Sequence, residues 1–256
     1  MASSYIVAGA RTPIGKMSGA LSSFSAADLG GFAISAALER AGVAPEEVQH
    51  VIMGQVLMAG QGQVPSRQAA VKAGIPMSVP SVNVNKVCLS GLNTIYLANQ
   101  MIASGDADIV VAGGMESMTN APYLADGARA GFRYGNTELR DAIIADGLWC
   151  AFDACLMGLG TDRYASGSIT RAEQDELAAQ SNERAASAIK DGRLADEIVP
   201  VSVPQRKGDP VLVETDEGVR PGTTAESLGQ LRPAFDKEGT VTAGNASQLS
   251  DGASAV

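Results

Sequence analysis

The sequence predicts an α/β fold, a parallel or mixed sheet with helices on its faces. Two observations carry that reading. Over residues 1–118 short apolar runs of strand length alternate with longer amphipathic runs, and the longer runs carry recognisable start or stop signals. Strands separated by helices of this length imply side-by-side strands joined by crossovers, with helices covering the sheet.

Tyr5 to Ala8 reads as a short first strand. Ser25-Ala-Ala-Asp28 has the spacing of a capping box and opens an amphipathic helix reaching about Arg40, which Gly42 stops. Val48 to Leu57 reads as a strand, and Pro65 to Ala73 as a helix ended by Gly74 and Pro76. A strand from Ser81 to Asn85, a helix from Leu89 to Ser104 and a strand from Asp108 to Ala112 complete the alternation.

After Thr119 the pattern loosens. Gly127, Gly131, Gly135 and Gly147 punctuate a stretch mixing charge and aromatics, one helix is expected from Arg171 to Asp191, and a glycine- and proline-rich tract runs from Pro200 to Gly222. Irregular length of this kind in a compact protein is usually functional when it is not disordered.

The residue with the sharpest chemical address is Cys88. In Ser81-Val-Asn-Val-Asn-Lys-Val-Cys-Leu-Ser-Gly-Leu92 an alternating strand gives way to helix within a few residues, at the carboxyl end of a strand where sites form in such sheets. A thiol there lies near backbone N–H groups that helix geometry leaves unpaired, which favours the thiolate. The alternative is that Cys88 is a small buried hydrophobe, as most free cysteines are. As a nucleophile it would attack a thioester with little driving force either way, and its own N–H is placed to donate to the oxyanion. Gly91 either leaves room for substrate or permits close helix packing.

Composition limits the alternatives. With 256 residues, 45% hydrophobic and 18% charged, the chain can bury a sizeable core and carry more than one domain. A net charge of -9 argues against nucleic-acid binding. No membrane span and no signal peptide is legible, so the expected compartment is the cytosol. Cys88, Cys150 and Cys155 form no CxxC pair, so three free thiols and no metal site are expected. The single histidine, His50, lies in an apolar run and reads as structural.

Asn85-Lys-Val-Cys-Leu-Ser-Gly-Leu92 followed by Val111-Ala-Gly-Gly-Met-Glu-Ser-Met-Thr119 resembles the thiolase family, CoA-dependent enzymes that make or cleave 3-ketoacyl thioesters. The resemblance extends from Arg11-Thr-Pro-Ile-Gly15, through Leu231-Arg-Pro-Ala-Phe235, to Thr240-Val-Thr-Ala-Gly-Asn-Ala-Ser247. It implies a thiolase-like layered fold: a mixed five-stranded sheet with helices on both faces in residues 1–118, and an inserted loop domain at 119–249 that covers the active site and cradles CoA. Residues 250–256 would begin a C-terminal domain. That domain brings the family's catalytic histidine and second cysteine, so the chain is expected to be the larger N-terminal part of an enzyme and inactive by itself.

The resemblance further implies acyl transfer from CoA to Cys88, then a Claisen condensation or its reverse, with CoA thioester as substrate and no tightly bound cofactor. It assigns CoA contacts to Leu148, Met157, Arg220, Ala243 and Ser247. Leu156 stands where many biosynthetic members have histidine, which removes a polar contact to the pantetheine. Arg206 and Lys207 either answer CoA's charge with Arg220 or are solvated loop charges. Lys86-Val-Cys-Leu-Ser-Gly, Met115-Glu-Ser-Met118 and Gly239-Thr-Val-Thr-Ala-Gly-Asn resemble the acetyl-CoA acetyltransferase branch, which forms acetoacetyl-CoA from acetyl-CoA. The alternatives are a 3-ketoacyl-CoA thiolase of fatty-acid β-oxidation, and a non-catalytic acyl-CoA-binding fragment; a ketoacyl synthase fits the motifs less well. A homodimer or homotetramer is implied, with contacts between Pro80 and Ser117 and with Asp126 to Asn136 joining dimers, and neither nucleic acid nor membrane is an expected partner.

Overall fold

The computed structural model describes residues 3–256. In chain order it contains β1 (Ala10–Arg11), β2 (Gly15–Lys16), α1 (Ala26–Ala41), β3 (His50–Gly54), α2 (Pro65–Lys72), β4 (Ser81–Val84), α3 (Ser90–Ser104) and β5 (Val110–Ser117). There follow β6 (Tyr123–Leu124), β7 (Arg140–Asp141), β8 (Trp149–Cys150), β9 (Cys155–Leu156), α4 (Met157–Ala165), α5 (Arg171–Lys190), β10 (Val201–Val203), β11 (Val211–Val213), α6 (Ala225–Gly229) and β12 (Ser250–Ala255). These elements form two compact units. The first holds the chain up to Tyr123 with Ala195–Glu217 and Leu249–Val256, and the second holds Leu124–Leu194 with Gly218–Gln248.

The first unit is built on a mixed sheet of order β1-β12-β5-β3-β4, with β2 pairing β12 beside this path. β3 runs parallel to both β4 and β5, while β12 is antiparallel to β5 and to β1. Side chains alternate across a strand, and the two faces carry different helices. Val51, Met53 and Val111 enter one core with Leu29, Ala33 and Ile34 of α1 and Ala69 and Ala70 of α2. Ile52 and Ala112 point the other way and pack with Ala98 of α3. The sheet is therefore covered on both faces, as its buried β3 run requires.

The capping signals act as read. Ser25 Oγ accepts from the Asp28 N–H, Asp28 accepts from the Ser25 N–H at 2.9 Å, and Gly42 closes α1 in the left-handed region. The Asp28 carboxyl lies below the usual range: burial would raise it, but hydrogen bonds from Lys72 and Ser25 prevail. Where strands were expected the structure trims or extends them, β3 to His50–Gly54 and β5 onward to Ser117.

One expected strand is absent. Tyr5 to Ala8 carries no strand, and Tyr5, Ile6 and Val7 are 81%, 66% and 75% exposed. The ladder of β1 with β12 takes in Ala10 and Arg11 alone, and alternation by itself does not supply the residues before them with a partner strand.

The domain limits read from sequence also differ from the packing. Ala195–Glu217, expected within the insertion, belongs to the first unit. Arg11 is the reason. Its guanidinium makes a bidentate pair with Asp216, at 2.7 and 2.9 Å, and its Nε donates to Glu197 at 2.7 Å. Burial alone would make the Arg11 cation less favourable, but these two carboxylates hold its pKa above the usual arginine value. The tract between them forms the hairpin β10–β11, with Val201 buried in the α1 core. Arg206 and Lys207 lie in the turn of that hairpin, in the first unit with Cys88. Residues 250–256, read as the opening of a further domain, supply β12 to the middle of the first unit's sheet.

The second unit contains α4, α5 and α6. The expected helix at 171–191 is α5, opened by a capping box between Thr170 and Glu173. No helix among the described residues is long and apolar enough to cross a membrane.

Candidate active site

Cys88 lies beyond the carboxyl end of β4 and two residues ahead of α3, whose N-cap is Leu89. The side chain is exposed, so the reading of Cys88 as a buried hydrophobe is overturned. The turn that presents it is tight and strained: Val87 has φ 50°, a left-handed conformation costly for a β-branched residue. Both backbone groups of Val87 are held by side chains, the N–H donating to Asn85 Oδ1 at 3.0 Å and the carbonyl accepting from Ser90 Oγ at 2.6 Å. Ser90 Oγ also accepts from the Lys86 N–H at 2.8 Å.

That arrangement modifies the expectation of free donors around the thiol. The N–H groups of Leu89 and Ser90 donate to the carbonyls of Lys86 and Val87, at 3.2 and 3.0 Å, and so close the turn.

The turn is seated on the sheet by residues that sequence reading passed over. A Cβ on Gly54, at the end of β3, would come 2.5 Å from the Gly91 nitrogen, so only glycine lets the first turn of α3 rest on the strand. A Cβ on Gly91 itself would meet Gly114 at an ordinary 3.7 Å. Close packing is thus enforced from the strand side, at Gly54.

Just past Gly54, the Val56 and Leu57 N–H groups donate to Glu116 at 2.8 and 3.1 Å. The Val56 carbonyl accepts from Asn85 Nδ2 at 3.4 Å, which ties this loop to the turn before Cys88. Burial pushes the Glu116 carboxyl above its ordinary range, and Asp251 adds to the rise, against the two amide donors that favour its charge. Glu116 stands inside the motif Met115-Glu-Ser-Met118, but nothing in the sequence pairs it with residues 56 and 57.

His50 lies at the other end of the sheet. It opens β3, whose parallel register matches Gly54, not His50, with the Val84 end of β4 from which Cys88 follows. Four strand residues separate the two levels by roughly 13 Å. The imidazole Nδ1 is buried without a hydrogen-bond partner.

All five residues assigned to CoA by resemblance lie in the second unit. Leu148 ends a π-helical turn at Ile143–Leu148, and Met157 opens α4 with its side chain exposed. Between them runs the β8–β9 hairpin, with Leu156 half-buried in β9. Arg220 is exposed, and its N–H donates to Asn182 Oδ1 of α5 at 2.9 Å. Ala243 and Ser247 are exposed on the loop that follows Thr242.

That loop is fixed by buried carboxylates, which sequence reading missed. Asp162 Oδ1 accepts from the Thr240 and Val241 N–H groups at 2.6 and 2.9 Å, and a Cβ on Gly239 would strike the same carboxylate. Asp175 accepts from Arg171 Nε at 2.7 Å and from Asn245 Nδ2 at 2.9 Å, and Asn245 Oδ1 accepts from the Thr242 N–H at 2.7 Å. The exposed Ala243 and Ser247 thus flank an anchored asparagine. The helical spacing of Arg171 and Asp175 was readable as a pair, but its reach to Asn245 was not.

Residues 4–256 match the family model described as thiolase, N-terminal domain. The chain belongs to the thiolase family. This thiolase-family chain is 58% identical over 252 residues to a protein of Mycolicibacterium smegmatis named "Probable acetyl-CoA acetyltransferase", covering 98% of the chain and 65% of that relative. Proteins of Cupriavidus necator and Thiocystis violacea named "Acetyl-CoA acetyltransferase" are 55% and 54% identical, each over 98% of the chain and 64% of the relative. The thiolase-family chain therefore spans a little less than two thirds of the length of these relatives.

Proposed function

We propose that the protein to which this chain belongs is an acetyl-CoA acetyltransferase, which condenses acetyl-CoA to acetoacetyl-CoA and CoA or runs the reverse thiolysis, with Cys88 as nucleophile. The observation that carries the reading is an exposed thiol at a strained strand-to-helix turn, in a thiolase N-terminal domain whose relatives bear that name.

In the acyl-transfer half-reaction the Cys88 thiolate adds to the thioester carbonyl carbon. Collapse of the tetrahedral adduct expels the CoA thiolate and leaves the acyl group on Cys88 Sγ. The pinned turn around Val87 keeps the sulfur in place without reorganisation. Leu148, Met157, Arg220, Ala243 and Ser247 form the proposed CoA surface, with Ser247 as hydrogen-bonding partner of the pantetheine arm and Arg220 near the adenine end. The assembly is proposed to be a homodimer or homotetramer.

The test is acyl capture. The chain is incubated with acetyl-CoA, quenched in acid and mapped by mass spectrometry. An acetyl group is expected on the peptide from Val87 to Arg129, and its absence there, or an equal yield in Cys88→Ala, refutes the reading.

A further inference from the structure

We propose that Cys150 and Cys155 form a cross-strand redox pair that closes to a disulfide under a small-molecule disulfide oxidant. The two residues are direct register partners in the antiparallel hairpin β8–β9. Opposed residues of such a pair have Cα atoms about 4.5–5.5 Å apart, inside the roughly 4.4–6.8 Å that a disulfide spans. Spacing alone would not have found this, since the motif is not CxxC, and the expectation from sequence was of three independent thiols. What sets the two residues opposite each other is the turn Ala151 to Ala154, which Ala154 closes in the left-handed region at φ 49°.

The two thiols differ in access, which sets the order of events. Cys150 is half-buried and Cys155 is 4% exposed. Cys150 Sγ donates to Asp153 Oδ2 and accepts from the Asp153 N–H, both at 3.4 Å, so it is held at the mouth of the turn. The Cys150 thiolate attacks one sulfur of the small disulfide and expels one small thiolate. The Cys155 thiolate then attacks Cys150 Sγ in the mixed disulfide and expels the second. The two protons lost by the protein thiols are taken up by the two released thiolates, so a protein dithiol and one small disulfide become a protein disulfide and two small thiols.

The hairpin occupies the whole stretch between Leu148 and Met157, so the bond would fix the spacing of two residues assigned to CoA. That consequence rests on the function proposed above, whereas the bond itself does not.

The experiment equilibrates the 256-residue chain with reduced and oxidised glutathione, blocks remaining thiols with N-ethylmaleimide, and maps tryptic peptides. Cys150 and Cys155 share the peptide Asp141 to Arg163, while Cys88 lies in the peptide from Val87 to Arg129. The shared peptide is expected to be two hydrogens lighter and free of maleimide, and in Cys155→Ser to carry glutathione on Cys150 instead. The ratio of oxidised to reduced pair should be at least about tenfold higher in the native chain than in urea, because the hairpin raises the effective concentration of one thiol at the other. A ratio equal or lower in the native chain, two maleimides on the shared peptide when Cys88 is already glutathionylated, or a bond between Cys88 and either residue would overturn the proposal.

Discussion

Ser90 Oγ donates to the Val87 carbonyl at 2.6 Å while accepting from the Lys86 N–H at 2.8 Å, so one hydroxyl closes the turn that presents Cys88. Ser90 is buried, and Ser90→Ala would leave the Lys86 N–H without this partner, while the Val87 carbonyl keeps the Ser90 N–H at 3.0 Å. A loss of about 1–3 kcal/mol in urea denaturation is expected. In the native wild type, brief iodoacetamide labelling should modify Cys88 before Cys150 and Cys155, in line with their exposed, half-buried and buried positions. Ser90→Ala should slow labelling of Cys88 alone, whereas equal slowing at all three would assign the effect to global change.

A second prediction separates the two partners of Arg11. Asp216 is 15% exposed at its side chain and Glu197 is 52% exposed. Asp216→Asn breaks a bidentate, largely desolvated pair and should cost about 2 kcal/mol, while Glu197→Gln should cost less than about 1 kcal/mol. Limited proteolysis should then cut between residues 195 and 217 in the Asp216 variant first. Equal melts of the two variants would show that Asp216 does not anchor the hairpin.

The pH dependence has a definite sign at Glu116. Its carboxyl is raised above 4.5 in the fold, so over the window from about 4.5 upward the native state holds more proton than the unfolded chain. Glu116 therefore subtracts stability as pH rises through that window. Asp28 and Glu217 are held below their ordinary values, with burial opposed in each by hydrogen bonds, so their contributions are present above those values and fade as pH falls through the lowered ones. Urea melts of wild type and Glu116→Gln at acidic and neutral pH isolate the first effect. The Gln variant should gain on wild type between pH 4 and pH 7, and a constant difference would contradict the assignment.

Assembly gives a further prediction. α3 buries Ser90, Thr94 and Ala98 but leaves Leu92 and Tyr96 exposed at 64% and 58%, beside an exposed Val82 on the edge strand β4. An apolar edge of this kind favours cover over water, which a second copy would supply to this chain of 64–65% of its relatives' length. Light scattering at micromolar concentration should report at least a dimer, and Tyr96→Glu should shift it toward monomer. A monodisperse wild-type monomer would count against it.

What was legible in the sequence followed local signals. The capping box of α1, Gly42 beyond it, and Cys88 before α3 are decisions made within a few residues, and local chemistry determines them. The missed features are pairings across long separations. Arg11 draws in Asp216 and fixes the hairpin against the first unit, Glu116 receives the loop after β3, and Asp175 holds Asn245. Each partner alone reads as a solvated charge. Tyr5 to Ala8 failed for the converse reason: its alternation suits a strand, yet strand formation depends on what stands opposite, and the pairing with β12 takes in Ala10 and Arg11 alone.

The last prediction concerns turnover by the 256 residues themselves. Under the proposed function, condensation and thiolysis would both require proton transfer at the thioester's α-carbon and activation of Cys88. The chain's single histidine, His50, lies at the far level of the sheet from Cys88, about 13 Å along the strands, and Cys150 and Cys155 are register partners in the β8–β9 hairpin. Losing a general base costs about 10²- to 10⁴-fold, and losing groups that act as one unit costs more. The chain should therefore acquire an acetyl group on Cys88 slowly, yet show no thiolysis of acetoacetyl-CoA above a Cys88→Ala control. Adding a separately expressed C-terminal portion of a relative should restore turnover where the two associate. Turnover by the 256 residues alone that His50→Ala abolished would place a working base where the sheet geometry says there is none.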